Sequence, residues 1–133
     1  MAYWLLRSEP ETYGWDDLVR DGQTEWDGVR NYTARNFLKE MKPGDQALFY
    51  HSNTQKAAVG IMEVTRAWRP DGADGKWASV AVTPLKPLAT PVTLAAIKAE
   101  PRLADLEVLR QSRLSVTPIR DAEWRVLMEM ARG

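Results

Sequence analysis

The chain reads as a mixed α+β domain: a mostly antiparallel curled sheet or small β-barrel, flanked by short helices. Three observations lead there. Strand-like runs do not alternate one for one with helical segments, so a doubly wound parallel sheet is not expected. Three consecutive strand runs in the middle of the chain are joined by short, turn-rich links, as in a meander. The 133 residues contain no linker, internal repeat or low-complexity stretch, so a single domain over residues 1–133 is expected.

The elements follow in order. Residues 2–7 (AYWLLR) are aromatic and aliphatic and stop at Ser8-Glu9-Pro10, which predicts a strand buried on at least one face. Residues 15–20 (WDDLVR) form a short helix with Trp15, Leu18 and Val19 on one side and Gly22 as its stop. EWDGVRN, residues 25–31, is an irregular turn around Gly28. In the helix 32–41, Ala34, Phe37, Leu38 and Met41 keep the i, i+3, i+4, i+7 spacing of a core stripe. Asn31 is placed to cap it, Pro43-Gly44 ends it, and Arg35, Lys39 and Lys42 take the solvated side. Residues 46–52 and 58–67 read as a hairpin, 70–75 (PDGADG) as a turn, and 77–85 as the third strand of the meander. Thr93 caps a helix 94–99; a second short helix covers 104–110; 114–119 is a strand; Asp121 opens a last helix with Trp124, Leu127, Met128 and Ala131 in one stripe.

Composition narrows the function. The chain has no cysteine, so disulfide frameworks, zinc ribbons and thiol nucleophiles are excluded. The N-terminal apolar run is cut by Arg7 and Glu9, too early for a signal peptide, and no stretch approaches 18 apolar residues. A cytoplasmic protein with no membrane contact is expected. Eighteen basic residues balance eighteen acidic ones, and neither half is a basic block. Tight, non-specific binding to a nucleic-acid backbone needs an excess of Lys and Arg, so that is not expected; a pocket that reads one base remains open.

Catalytic signatures are missing. His51 is the single histidine, so no two-histidine metal site can form. There is no GxSxG, GxGxxG or P-loop lysine motif, and the serines have no nucleophile-elbow context. No catalytic residue, metal ligand or cofactor is assigned, and a non-enzyme is expected.

Six tryptophans (Trp4, Trp15, Trp26, Trp68, Trp77 and Trp124) imply an aromatic-rich core or a stacking site. Trp15, Trp77 and Trp124 suit the core, and Trp4 lies in a strand that looks fully buried. The segment Trp26-Asp27-Gly28-Val29-Arg30-Asn31 is the most informative. It offers a stacking plane, a planar cation and an amide beside a helix N-terminus, the parts that hold a flat heterocycle with a nearby phosphate. Equally, Trp26 could fill a minor core, Arg30 could pair with Asp27, and Asn31 could only cap. His51, at a strand end, is either a hydrogen-bonded rim residue or, with Ser52, a polar reader at a pocket mouth. Arg113, before the late strand, is either a surface arginine or part of the same rim.

Together WLLRSEP (4–10), WDGVRN (26–31), MKPGD (41–45), FYHS (49–52), VGI (59–61) and RLSV (113–116) resemble, in order and over essentially the whole chain, an EVE domain. This is a group of the PUA-like superfamily, related to the thymocyte nuclear protein and more distantly to YTH domains. Arg7 stands where the family usually has Lys. The resemblance implies a PUA-like β-barrel with helices and a pocket for a modified nucleobase, a modified cytosine or methylated adenine, in DNA or RNA. It implies binding without turnover. It places Trp26 as the cage tryptophan, with Ser8, Val29, Asn31, His51 and Ser52 around the base. Trp68 is the candidate second wall, with Tyr50 and Trp77 behind it. Arg30, Arg35, Lys39 and Arg113 would meet phosphates, with modest affinity and a shallow salt slope. The rival functions are a small-molecule or protein-interaction module using the same pocket, possible protein partners included, and an accessory to an RNA-modifying enzyme.

Overall fold

The computed structural model describes residues 1–132. Its elements are β1 (Tyr3–Ser8), α1 (Trp15–Asp21), β2 (Thr24–Trp26), α2 (Tyr32–Glu40), β3 (Gln46–His51), β4 (Ala57–Asp71), β5 (Trp77–Thr93), α3 (Leu94–Ala99), a 3-10 turn (Pro101–Leu103), α4 (Glu107–Arg110), β6 (Val116–Ile119) and α5 (Asp121–Ala131). The strands make one six-stranded sheet in the order β2-β5-β4-β3-β1-β6. Every pair is antiparallel except β1 with β3. No pairing joins β2 to β6, so the sheet stays open; the α+β reading holds, and the barrel is a sheet that does not close.

The side-chain alternation of β1 and β3 makes two cores. Trp4, Leu6, Ala47 and Phe49 face one side, where α1 and α2 add Trp15, Leu18, Ala34 and Leu38. Leu5, Leu48 and Tyr50 face the other, covered by Ile97, Leu103, Trp124 and Leu127. A period of two along the strands puts neighbours on opposite faces, and both faces are buried.

Local chemistry fixes the boundaries. Gly22 stops α1 with φ of 76°, and its N–H donates to Leu18 O. The Asn31 side chain accepts from Ala34 N at 3.0 Å and caps α2, and Thr93 caps α3 through Ala96 N. Between α2 and β3, buried Asp45 accepts from Ala2 N, Trp4 Nε1 and Lys42 N, all within 3.0–3.1 Å. That is the physical content of the MKPGD segment.

Two expectations change. Strand β4 runs to Asp71 and β5 to Thr93, well past residues 67 and 85. Register shifts along the β4–β5 ladder absorb the irregular residues. Pro84 and Pro87 are tolerated because β2 covers only Val80–Val82 of β5, so the outer side of the strand beyond that point needs no donors. The turn expected at 25–31 contains a short strand, β2, paired with β5.

Candidate functional site

An open cleft of about 310 Å³ lies at the end of β1, lined by Ser8, Thr12, Tyr13, Thr24, Glu25, Trp26 and Asp27. Its size is at the small end of ligand pockets, suited to one compact guest. Trp26 is largely buried (7 % exposed) but contributes to the cleft wall. Behind it stands Phe49, edge-on at 5.4 Å and fully buried. Phe49 also meets Trp15 at 5.8 Å and His51 at 5.4 Å, both edge-on, so one ring holds three others in place.

The second aromatic residue of the lining is Tyr13. Its ring is fixed by the turn after β1: Tyr13 N–H donates to Glu9 O, Ser8 Oγ–H donates to Tyr13 O at 2.6 Å, and Tyr13 Oη–H donates to Asp21 Oδ2 at 2.9 Å. Burial raises the Tyr13 phenol above its ordinary value, so it remains a protonated donor at neutral pH.

Two carboxylates reach the cleft in different states. Glu25 is held by Arg66 at 2.7 Å and Arg69 at 3.0 Å, and the hydrogen bond from Arg66 keeps its carboxyl below the ordinary range. Asp27 is exposed and belongs to no ion pair among the described residues. Since the Ser8 hydroxyl hydrogen is used on Tyr13 O, the cleft presents Ser8 Oγ and Asp27 chiefly as acceptors.

The remaining expected site residues fall elsewhere. His51 Nε2 accepts from Trp15 N at 3.0 Å, and Nδ1 lies 2.6 Å from Gln55 Oε1. A backbone donor at Nε2 and a carbonyl acceptor at Nδ1 fix the Nδ1–H tautomer, and both ring nitrogens are engaged, Nε2 with the start of α1 and Nδ1 with the turn between β3 and β4. Val29 is buried in the core and Asn31 caps α2. Trp68 lies outside the cleft lining, 39 % exposed, with Lys39 Nζ 4.6 Å from its ring centre. Trp77, expected in the core, is only half-buried and stacks on exposed Tyr32 at 4.9 Å. Tyr50 is fully buried on the far face of the sheet.

Arg30 pairs with Asp71 at 2.9 Å, not with Asp27. Asp71 also accepts from Gly28 N at 2.9 Å, and Gly28 takes the left-handed φ of 75° that lets the loop reach it. Ser52 and Arg113 line a neighbouring open cleft of about 370 Å³ with Arg7, Glu9, Asn53, Ser112 and Ser115. Ser52 N–H donates to Ser8 O, so this second cleft and the Trp26 cleft adjoin across the end of β1. Arg7 donates to Ser112 O and lies 5.7 Å from the Tyr50 ring centre.

Thr12, Tyr13, Thr24, Glu25 and Asp27 are the cleft residues that sequence patterns did not single out. Only Glu25 and Asp27, inside EWDGVRN, carried a signal; Tyr13 enters the cleft through a turn whose geometry no periodicity reveals.

The family model of the EVE domain matches residues 2–130. The chain belongs to that family. It is 32 % identical to mouse thymocyte nuclear protein 1, over 96 % of this chain and 73 % of that protein. Among solved structures, Rpa0253 from Rhodopseudomonas palustris superposes with a TM-score of 0.94 at 47 % identity, covering 98 % of this chain and 93 % of that one. Human THYN1 protein, solved in complex with 5-methylcytosine-containing DNA, superposes with a TM-score of 0.91 at 28 % identity, covering 100 % of this chain and 99 % of that one.

Proposed function

We propose that this protein binds a modified nucleobase in the cleft between Tyr13 and Trp26, with a 5-substituted cytosine in DNA as the preferred guest, and does so without catalysis. The observation that carries this is an aromatic cleft of single-base size in which Asp27 and Ser8 Oγ stand as acceptors. Cytosine presents an exocyclic amine, and a carboxylate is the natural acceptor for it; Asp27 is the carboxylate left free to serve. A base must leave its stack to enter, which costs a few kcal/mol in a duplex, and stacking on aromatic side chains returns about 1–3 kcal/mol. A 5-methyl group would be read by shape and apolar contact. The human relative's capture in complex with methylcytosine-containing DNA supports the same assignment.

Binding rather than turnover fits the residues. The single imidazole is spent on holding the start of α1 and the turn between β3 and β4, and among the described residues no group of three His, Asp or Glu side chains could hold a metal ion. Arg113 and Arg7 line the adjoining cleft and would meet the phosphates beside an extruded base. A nucleic-acid role is compatible with a cytoplasmic location.

Titration of short oligonucleotides carrying cytosine, 5-methylcytosine, adenine or N6-methyladenine, against the wild type and Trp26→Leu, tests this. The expected result is a preference for the modified cytosine, lost in the variant. Equal affinity for all four, or a preference that survives the substitution, overturns it.

A further inference from the structure

We propose that the outer flank of α2, together with two indoles of the β4–β5 hairpin, is a second nucleic-acid contact, a strip that takes about three unpaired nucleotides of the strand. It extends the base-binding reading, but its evidence lies elsewhere in the molecule. Tyr32, Arg35 and Lys39 stand at i, i+3 and i+7 along α2, so they share one face. At 1.5 Å per residue they span about 10 Å, the rise of about three stacked nucleotides at 3.4 Å each.

Both ends of this row are joined by a tryptophan. Trp77 stacks on Tyr32 at 4.9 Å with 25° between the planes. The Arg30 guanidinium lies 5.4 Å from the Trp77 ring centre, and the Arg35 guanidinium 4.8 Å from that of Tyr32. The result is a four-layer ladder, Arg30–Trp77–Tyr32–Arg35, ending at each side in a guanidinium plane. At the other end of the row Lys39 sits against exposed Trp68.

Part of this row stands in solvent. Tyr32 is 55 % exposed and Trp68 39 % exposed. Charge selects the occupant: Arg35 and Lys39 belong to no ion pair among the described residues, and only Arg30 is balanced, by Asp71. The outer faces of the ladder and exposed Trp68, beside cations that no carboxylate balances, suit bases and phosphates together, since bases stack on guanidinium planes as well as on aromatic rings. An acidic protein segment would satisfy the cations and leave the rings idle. The strip begins a short chain path from the cleft. Asp27 lines the cleft and Arg30 begins the ladder three residues later, a chain path of at most about 11 Å.

The test uses two probes on the full chain. Fluorescence anisotropy with an unmodified single-stranded 12-mer at low salt reports the strip; calorimetry with free 5-methyl-2′-deoxycytidine reports the cleft. The wild type is expected to bind the unmodified strand. Trp77→Ala and Lys39→Glu are each expected to weaken that binding about tenfold, in line with the loss of one stacked or charged contact, and to leave nucleoside affinity unchanged. Lys39 is exposed, so its variant remains a fair test if Trp77→Ala folds poorly. No binding of the strand by the wild type, or strand binding that both variants retain, overturns the proposal; so does an acidic peptide that binds in a Lys39-dependent way where the strand does not. Strand binding that depends on Lys39, with no nucleoside binding at all, would sustain the strip and remove the cleft reading instead.

Discussion

Replacing Gly60 with alanine should loosen the candidate cleft without touching it. A Cβ at this position would lie 2.4–2.5 Å from three carbons of the Trp15 benzo ring. Ordinary carbon contacts are about 3.5–4.0 Å, so the ring must retreat by more than about 1 Å. Gly60 has no left-handed φ, so the effect is steric and not conformational. Trp15 cannot retreat freely: it is buried, it meets Phe49 edge-on, and its N–H is held by His51. Overpacking of this kind costs about 1–3 kcal/mol, and the upper part of that range corresponds to a Tm lower by about 10 °C in a domain of this size. Displacing Trp15 also moves the start of α1, next to Tyr13, so affinity for a bound base should fall as well. The diagnostic is a double-mutant cycle with Trp15→Leu, which removes the clashing carbons. Each single change destabilises; the double variant should be more stable than the sum of the two predicts by about 1 kcal/mol or more, measured by denaturant unfolding. Strictly additive losses would refute the clash as the cause.

Three further outcomes are expected. Asp45→Ala strips acceptors from Ala2 N, Trp4 Nε1 and Lys42 N; with orphaned donors costing about 1–3 kcal/mol each when buried, urea unfolding should show a loss of about 3 kcal/mol with an unchanged m-value. Asp27→Asn should reduce the preference for cytosine-type over thymine-type guests by about tenfold, because a discriminating polar contact contributes about 1–3 kcal/mol; competition binding with an unchanged ratio would exclude Asp27 as the amine acceptor. Asp71 has its carboxyl held below the ordinary range, first by the Gly28 N–H and then by Arg30. A depressed folded value means stability that is present above the unfolded carboxylate range, about 3.9, and is lost as pH falls through the folded value. Amide exchange at Gly28 should therefore accelerate selectively on acidification below about pH 4, relative to the core of β3.

Much of the fold was legible because its signals are local. The stripe of α2, the caps at Asn31 and Thr93, the Gly22 stop and the inward-outward alternation of Ala47, Leu48, Phe49 and Tyr50 all read directly from the chain. The lengths of β4 and β5 did not, because bulges and an unpaired flank let the strands continue through Pro70, Pro84 and Pro87. Closure into a barrel was not readable either, since it depends on whether two edge strands meet. At the site, Trp26 was legible from its setting in WDGVRN, whereas Tyr13 was not, because it reaches the cleft by a turn. Trp77 was assigned to the core from its aromatic character, but Tyr32, 45 positions away in sequence, gives it a surface partner. His51 drew interest as a lone imidazole at a strand end; pairing of β3 with its neighbours carries that end to the first turn of α1, where a backbone N–H claims it.

An open sheet leaves two rims that could recruit a stranger's strand. Here one rim is β2, three residues long, and the other is β6, four residues with Pro118 among them. The bare flank of β5 is broken by Pro84, Pro87 and Pro91, which offer no N–H to a visitor. Short rims and missing donors deny an incoming chain a template. The sheet thus carries its own guard against growing from one molecule into the next along its margins.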